Sequence, residues 1–569
     1  MAKLNASSRQ ILTQCFKKIV GSRHVLTSER ATAPFRKAFR EGGGPALAVV
    51  KPATLWQQWQ VLEACVKADV IIIMQAANTG LTGGSTPTEN CDRNTVIINT
   101  TRINDIHVLD PQQQIVAFPG ASLFSLEKAL APYGRVPHSV IGSSCIGASI
   151  VGGICNNSGG ALVERGPAYT ELALYAQINQ DGTLKLVNHL DIELGNTPEE
   201  ILTNLQNKKY SSKDVLSTGK LASDSEYAQW VRETTHDSPA RFNADPRRLH
   251  QASGCAGKLA VFAVRVDTFV KNEQESTFYL GTNSTDALQA VRKTLLEDST
   301  SLPVYAEYLH RDIFNLADDY GRDTVLLIRN LGTNWLPKFF NIKRQLDSLC
   351  NRVPFLKPGF IDKAVYKLAK LFPSQTPKKL HEWNKKYEHQ LILTIKGHLD
   401  EETQSLLNNL KDKHEIDYFK CDEQTAKAAY LLRFAAAGAA VQYASINNQE
   451  VESIVALDIA LKRNDPNWFE TLPDELNSKL VNKLYYGHFL CHVFHQDYLV
   501  RKGEDAKAIK SALLDILEQR GAEYPAEHNV GHHYVAKPEL ANNYKTLDPT
   551  NTLNAGIGSM SKKRNYADE

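Results

Sequence analysis

Two glycine-rich stretches, MQAANTGLTGGS at Met74–Ser85 and VIGSSCIGASIVGGICNNSGG at Val140–Gly160, decide the fold. Each follows residues that read as a strand, and so many small side chains cannot fill a core. Glycine loses more backbone entropy on ordering than any other residue, so runs of it mark places where something bulky approaches the main chain. Consecutive N–H groups in such loops form concave anion sites suited to a pyrophosphate. The two loops therefore read as the walls of a nucleotide-cofactor site, against the plainer reading of two tight turns in an α/β domain.

Other phosphate-binding patterns do not fit. Neither loop has the GxGxxG spacing, and Gly257-Lys258-Leu259 and Gly219-Lys220-Leu221 lack the leading glycine and the hydroxyl of a GxxxxGK[ST] loop. Two glycine loops separated by strands resemble instead the FAD-binding domain of the p-cresol-methylhydroxylase/vanillyl-alcohol-oxidase (PCMH/VAO) type. There the first loop wraps the pyrophosphate and the second runs beside the isoalloxazine.

Upstream, Ile11 to Val20 reads as a short amphipathic helix and Ala46 to Val50 as a strand. Thr54 caps a helix over Leu55 to Ala68, with Leu55, Trp59, Leu62 and Val66 at helical spacing. The strand Val70 to Met74 delivers the first loop at its end, where α/β sheets place ligands. Strands follow at Val96 to Asn99, Ile106 to Leu109 and Ile115 to Phe118, then a helix from Ser125 to Leu130. The segment GCAGKLAVFAVRV, Gly254–Val266, again puts glycine before an apolar strand. The expectation is α+β: a two-lobed FAD-binding domain over 1–270, a cap (substrate) domain over 271–330 and 388–516, a basic segment over 331–387, and a segment 517–569 returning to the FAD domain.

At 569 residues the chain has room for two to four domains of about 150 residues each. A net charge of +2 says nothing about partners. Nine scattered cysteines without a CxxC pair argue against a disulfide framework or zinc ribbon and suit a reducing compartment. No apolar run has signal-peptide length or the roughly 18 residues of a membrane span.

The distribution of charge is more informative. Lys338, Lys343, Arg344, Arg352, Lys357, Lys363, Lys367, Lys370, Lys378, Lys379, Lys385 and Lys386 face only Asp347, Asp362 and Glu382 within the same stretch. Trp335, Phe339, Phe340, Phe355, Phe360, Tyr366, Phe372 and Trp383 are interleaved. Cations for anionic head groups beside rings for the acyl boundary are what an interfacial segment needs. The alternatives are a solvated basic face with packed aromatics or, further off, a nucleic-acid surface; no nucleic-acid partner is expected.

Oxidation of a 2-hydroxy acid by a flavin requires a cation for the carboxylate, a base for the hydroxyl proton and a geometry that aims the Cα hydride. Arginine and histidine are the natural choices for the first two. The loops AANTGLTGGS and GSSCIGASIVGGICNNSGG, with SGCAGKLAVFAVR, RFAAAGAA, YYGHFLCHVFHQDY and PAEHNVGH, resemble the quinone-dependent, FAD-linked D-lactate dehydrogenases of bacterial respiratory membranes over nearly the whole chain. The resemblance implies oxidation of D-lactate to pyruvate, noncovalent FAD, electron delivery to ubiquinone or menaquinone, and peripheral attachment through anionic phospholipid to the cytoplasmic face of the inner membrane. Open alternatives are another D-2-hydroxy acid as substrate, a non-catalytic membrane-binding protein on the flavin fold, and a soluble oxidase.

Carried over by position, the resemblance places the flavin against Ala76, Ala77, Asn78, Thr79, Gly80, Gly84 and Ser85, then Gly142, Ser149 and Gly159, then the backbone of Val261. Relatives that bind flavin covalently use a histidine in the first loop, and none lies between Val70 and Asn90. Glu527 and His528 match a Glu-His pair beside the flavin whose histidine is taken as the base, although Asn529 replaces the first glycine of the following Gly-x-Gly. His495 is next in line as base. His488 and His495 keep the ends of a metal-binding HxGDGNxH motif, but Leu490, Cys491, His492 and Val493 replace its core. No metal is expected, while two imidazoles and the Glu527 carboxylate leave one conceivable. Without one, His488 and His495 would bond substrate, orient His528 or pack in the core. Arg433, before an Ala-rich helix segment, is expected to bind the carboxylate, and His532 and His533 are expected to be structural.

Overall fold

A computed structural model describes residues 3–38, 43–139, 147–272, 274–332, 335–336, 339, 342–343, 346 and 359–568. The first sheet holds β1 (Val25–Leu26), β2 (Ala48–Val50), β3 (Ile71–Gln75) and β4 (Thr95–Asn99) in the order β1-β2-β4-β3. β2, β3 and β4 run parallel, and their Val and Ile side chains are buried as helices over a parallel sheet demand. The crossover helix Leu55–Lys67 starts at Thr54, whose hydroxyl accepts the Gln57 N–H at 3.1 Å, and buries Leu55, Trp59 and Leu62. Cap and spacing thus agree with the sequence reading, and β3 ends at the first glycine loop.

The strands β5 (Ile106–Val108), β6 (Gln114–Ala117), β7 (Arg135–Val136), β8 (Ala173–Ile178), β9 (Leu184–Asn188), β10 (Ala260–Asp267) and β11 (Phe269–Val270) follow. A five-stranded antiparallel sheet runs β5-β6-β10-β8-β9, and β7 pairs with β11 as a ribbon. The short helix Ile150–Cys155 begins at Ser149, whose hydroxyl accepts the Gly152 N–H at 3.0 Å.

The third sheet has seven strands: β12 (Glu275–Thr282), β13 (Tyr305–His310), β14 (His389–Lys396), β15 (Ile416–Lys420), β16 (Val451–Ala460), β17 (Leu480–His488) and β18 (Val493–Arg501). Their order is β15-β12-β14-β13-β17-β18-β16, every pairing antiparallel. Leu288, Val291, Ile509 and Leu513 pack on one face against Phe278 and Tyr308. Phe314, Leu432 and Ala436 pack on the other against Tyr279 and Leu309. Neighbouring residues of β12 (Phe278, Tyr279) and of β13 (Tyr308, Leu309) thus alternate between the two cores, as a period of two requires.

Past the helix Ala506–Gln519 the chain bridges to β16 through Glu523 and Ala526 and then reaches the first sheet. Leu553 bridges to Ile72, and the Ile72 N–H donates to the Thr552 carbonyl at 2.9 Å. Asn554 Nδ2 donates to the carbonyls of Gly84 (2.9 Å) and Ala256 (2.6 Å), tying the first loop to the segment before β10.

The basic stretch is less unbalanced than its local sequence suggests. Lys338, Arg344, Arg352, Lys357, Phe340 and Phe355 lie outside the described residues. Lys343 pairs with Asp362, Lys370 with Asp319 and Lys386 with Asp417, so two of the acids come from distant segments. Tyr366 stacks on Tyr320, and Trp383 packs edge-on to Phe419 at 4.8 Å, so these rings serve packing rather than an interface. Phe360, Leu368, Leu371 and Phe372 remain exposed.

Candidate functional site

The register of the third sheet assembles the site. Glu307 on β13 lies opposite His488 on β17, Tyr486 opposite His495 on β18, and His495 opposite Asp458 on β16. Directly opposed residues share a face, so five polar side chains from four adjacent strands point the same way. Arg433 reaches that face from the helix Glu423–Ile446, its guanidinium 4.9 Å from the centre of the Tyr486 ring.

From Arg433 a buried chain of alternating charge runs inward. Arg433 Nε lies 2.8 Å from Glu307 Oε2, off the N–H axis, as an ion pair rather than a hydrogen bond. Glu307 Oε1 lies 2.7 Å from His488 Nδ1, and His488 Nε2 lies 3.1 Å from Glu527 Oε2. The other Glu527 oxygen pairs with Arg241. Both ring nitrogens of His488 are therefore engaged by carboxylates. Burial disfavours its charged form, but Glu307 and Glu527 prevail and raise it to about 9, so it is an imidazolium at neutral pH. Burial likewise opposes ionisation of Glu527, yet Arg241 and His488 hold its carboxyl well below the usual range. Glu307 is lowered too, with His488 and Arg433 overcoming its desolvation.

A second carboxylate organises the other imidazoles. Asp458 is buried, lies 3.3 Å from His495 Nδ1 and 3.8 Å from His528 Nε2, and accepts the Glu527 N–H at 2.8 Å. Its carboxyl is lowered because His528 and then His495 outweigh its desolvation. The rings of His488 and His495 are 5.4 Å apart, and those of His495 and His528 6.5 Å. All the expected catalytic and substrate-binding side chains, Arg433, His488, His495, Glu527 and His528, thus meet in one place.

The donor atoms of His488, His495 and Glu527 lie within 4.8 Å of one another, a spacing a divalent ion could draw together. The charges argue otherwise. Arg433, His488 and Arg241 are balanced by Glu307, Glu527 and Asp458, and a bound dication would displace the His488 proton held by two carboxylates.

The segment carrying Glu527 and His528 lies across both glycine loops. A Cβ on Gly159 would collide with the Glu527 carboxylate, so only glycine fits there. Asn529 Nδ2 donates to Asn156 Oδ1 at 2.8 Å, and the Asn529 carbonyl accepts the Thr82 hydroxyl at 2.8 Å. The His532 N–H donates to the Thr82 carbonyl at 2.8 Å, and its ring contacts the Thr86 carbonyl at 3.0 Å.

The first loop fits a dinucleotide. From Asn78 to Gly83 no backbone N–H meets a protein acceptor among the described residues, although Thr82 and Gly83 are buried. Asn78 (φ 55°) and Gly83 (φ 73°) adopt the left-handed conformation that turns such N–H groups to one side, and a Cβ on Gly80 would meet nothing within 4 Å. Neighbouring groups hold the loop by its other atoms. Asn99 Nδ2 donates to the Ala76 carbonyl at 3.0 Å, Gln75 Nε2 to the Ser85 carbonyl at 2.8 Å, and the Ser85 hydroxyl to Asn78 Oδ1 at 2.9 Å. Ala77 and Thr79 lie between these anchors, and Gly84 lies against Asn529. Ser149 caps its helix, and the Val261 carbonyl on β10 accepts from Gln58 Nε2 at 3.2 Å. Gly142 lies outside the described residues.

Sequence reasoning passed over Glu307, Asp458 and Arg241. For the first two the signal was legible: a carboxylate inside the otherwise apolar or aromatic strands YAEYLH and IVALDIA must be paired once buried. Arg241, in the loop PARFNADP, carried no comparable mark.

The family described as "D-lactate dehydrogenase, membrane binding" matches residues 277–566, and the FAD binding domain family matches residues 46–187. The chain is 53% identical over 567 residues to the quinone-dependent D-lactate dehydrogenase of Escherichia coli K12, covering 100% of this chain and 99% of that one. It is 51% identical to the enzyme of the same description from Haemophilus influenzae, covering 99% and 100%. Among solved structures, p-cresol methylhydroxylase with bound substrate superposes with a TM-score of 0.59 at 12% identity, covering 98% of each chain. Alkyldihydroxyacetonephosphate synthase superposes with a TM-score of 0.56 at 12% identity, covering 97% of this chain and 85% of that one. These two establish the PCMH/VAO-type flavoprotein fold. Among the described residues no helix is long and apolar enough to cross a membrane. With near-complete coverage at such identities, the chain belongs to the family of quinone-dependent D-lactate dehydrogenases.

Proposed function

We propose that, in oxidising D-lactate to pyruvate, this chain uses Arg433 to bind the carboxylate and His528 to take the hydroxyl proton, at a site that needs no metal. FAD, when bound, accepts the hydride and passes the electrons on to a membrane quinone. The single observation supporting this division of roles is the convergence of one arginine and three imidazoles on one sheet face, with Asp458 beside two of the imidazoles.

His528 is suited to the base's part because it is the most exposed of the three, at 32%, and has Asp458 to stabilise the cation it becomes. His488 is not, since accepting a proton would first require losing one of its carboxylate partners. Its part is to hold Glu307 and Glu527 in place. A second reading assigns the proton to His495, which is linked to Arg433 through Tyr486: its ring is 5.3 Å from that of Tyr486 and its Nδ1 3.3 Å from Asp458.

Anaerobic mixing with D-lactate, following flavin absorbance, separates the readings. His528→Ala should keep FAD and lose flavin reduction by several orders of magnitude, and Arg433→Ala should raise the half-saturating lactate concentration about 10- to 100-fold, the loss of one charge-assisted pair. A near-normal rate in His528→Ala with a collapsed rate in His495→Ala would move the base to His495.

Docking on anionic phospholipid at the cytoplasmic face is the reading that exposed Lys367, Lys378, Lys379 and Lys385 beside exposed Leu368, Leu371 and Phe372 support.

A further inference from the structure

We infer that Glu307 is a positioning residue for substrate recognition, fixing Arg433 so that only the outer edge of its guanidinium can receive a carboxylate. This rests on Arg433 being the carboxylate-binding residue. Glu307 sits in the middle of a seven-stranded sheet, paired through β13 with Ile392 on one side and His488 on the other, and is 3% exposed. Its place is therefore fixed by backbone hydrogen bonds on both flanks. One carboxylate oxygen faces His488 Nδ1 at 2.7 Å and the other faces Arg433 Nε at 2.8 Å.

Arg433 is constrained on two further sides. Its guanidinium lies over the Tyr486 ring, 4.9 Å from the ring centre, and its backbone belongs to the 24-residue helix Glu423–Ile446. A guanidinium paired with Glu307 through Nε leaves the edge formed by its two Nη groups for a carboxylate, the fork that grips it with two parallel N–H groups. The negative charge of Glu307 also repels any carboxylate approaching from the Nε side. The acid end of the substrate thus has a single way in, and the hydroxyl and Cα hydrogen fall in a fixed orientation relative to the imidazoles beyond Tyr486. Glu307 touches neither substrate nor reacting atoms in this scheme; it acts through Arg433.

Two features separate this role from plain structural support. First, the effects of Glu307 and Arg433 are coupled, because one acts through the other. Second, a lysine at 433 has one nitrogen, and Glu307 captures it.

The test is flavin reduction by D-lactate in FAD-loaded Glu307→Gln, Arg433→Ala and the double variant, with FAD content and Tm recorded for each. Glu307→Gln is expected to raise the half-saturating lactate concentration about 10- to 100-fold while changing the limiting rate much less. In the Arg433→Ala background the same change is expected to add less than about threefold. Should Glu307→Gln fail to retain FAD, Arg433→Lys provides the second measurement, and it is expected to be as impaired as Arg433→Ala. An unchanged half-saturation in Glu307→Gln, multiplying effects in the double variant, or near-normal saturation in Arg433→Lys would each overturn the inference. If Arg433→Ala itself saturates normally, what falls is the carboxylate-binding assignment of Arg433.

Discussion

His488 is the residue on which the site turns, because it is a buried cation rather than a free base. Both of its nitrogens face carboxylates, so its proton belongs to the fold. A group raised from an ordinary 6.5 to about 9 on folding contributes stability that is complete below pH 6.5 and disappears as the pH climbs to 9. Glu307, Glu527 and Asp458 are shifted the other way, so their contribution is present above their usual range near pH 4 and is lost on acidification. The expected outcome is a Tm highest between about pH 5 and 6.5 that falls toward pH 9. In His488→Gln the alkaline decline should be much shallower, and thermal unfolding followed across that pH range checks it; an equally steep alkaline decline in that variant would place its cause elsewhere.

At the scale of elements, the turn Glu527–His532 matters more than its length suggests. Asn529 stands at the first glycine of the Gly-x-Gly that the resemblance implies after the Glu-His pair. In three dimensions its side chain crosses to Asn156 on the second loop, while its carbonyl takes the Thr82 hydroxyl on the first. Its Oδ1 also accepts the Gly531 N–H at 2.8 Å, which shapes the turn. Asn529→Ala should leave the sheets intact and weaken FAD retention about tenfold or more, since one buried hydrogen bond between the two loops is lost and its partner is left unsatisfied. Equilibrium dialysis of FAD against the variant checks this, and unaltered affinity would mean the loops hold themselves together. Elements like these show what the letters could carry. The helix Leu55–Lys67 and the β3 loop were readable because caps and periodicity are local. The pairing of Glu307 with His488 was not, because 181 residues separate them and only sheet register brings them together.

Over the whole molecule, the flavin loops, the seven-stranded sheet and the terminal segment form one arrangement in which chain ends far apart in sequence share a site. Glycine loops betrayed the first part and a His-x6-His spacing hinted at the second, but the balancing charges came from strands with no motif. The same holds at the surface, where Asp319 and Asp417 partly neutralise a stretch that looked almost wholly basic. Binding to anionic vesicles should therefore be salt-sensitive yet incomplete in its sensitivity, because the exposed Leu368, Leu371 and Phe372 contribute a part that salt does not screen. Co-sedimentation at rising ionic strength is expected to weaken in steps of about 1 kcal/mol per screened cation. Binding unaffected by salt, or unaffected by deleting residues 338–386, would refute the electrostatic part.

The charges of this site balance without a metal, Arg433, His488 and Arg241 against Glu307, Glu527 and Asp458. The metal content of chelator-treated, FAD-loaded protein, measured alongside D-lactate turnover, checks this. Full turnover is expected with no divalent metal in proportion to flavin. One tightly held divalent ion per flavin, whose removal abolishes turnover and whose return restores it, would contradict it.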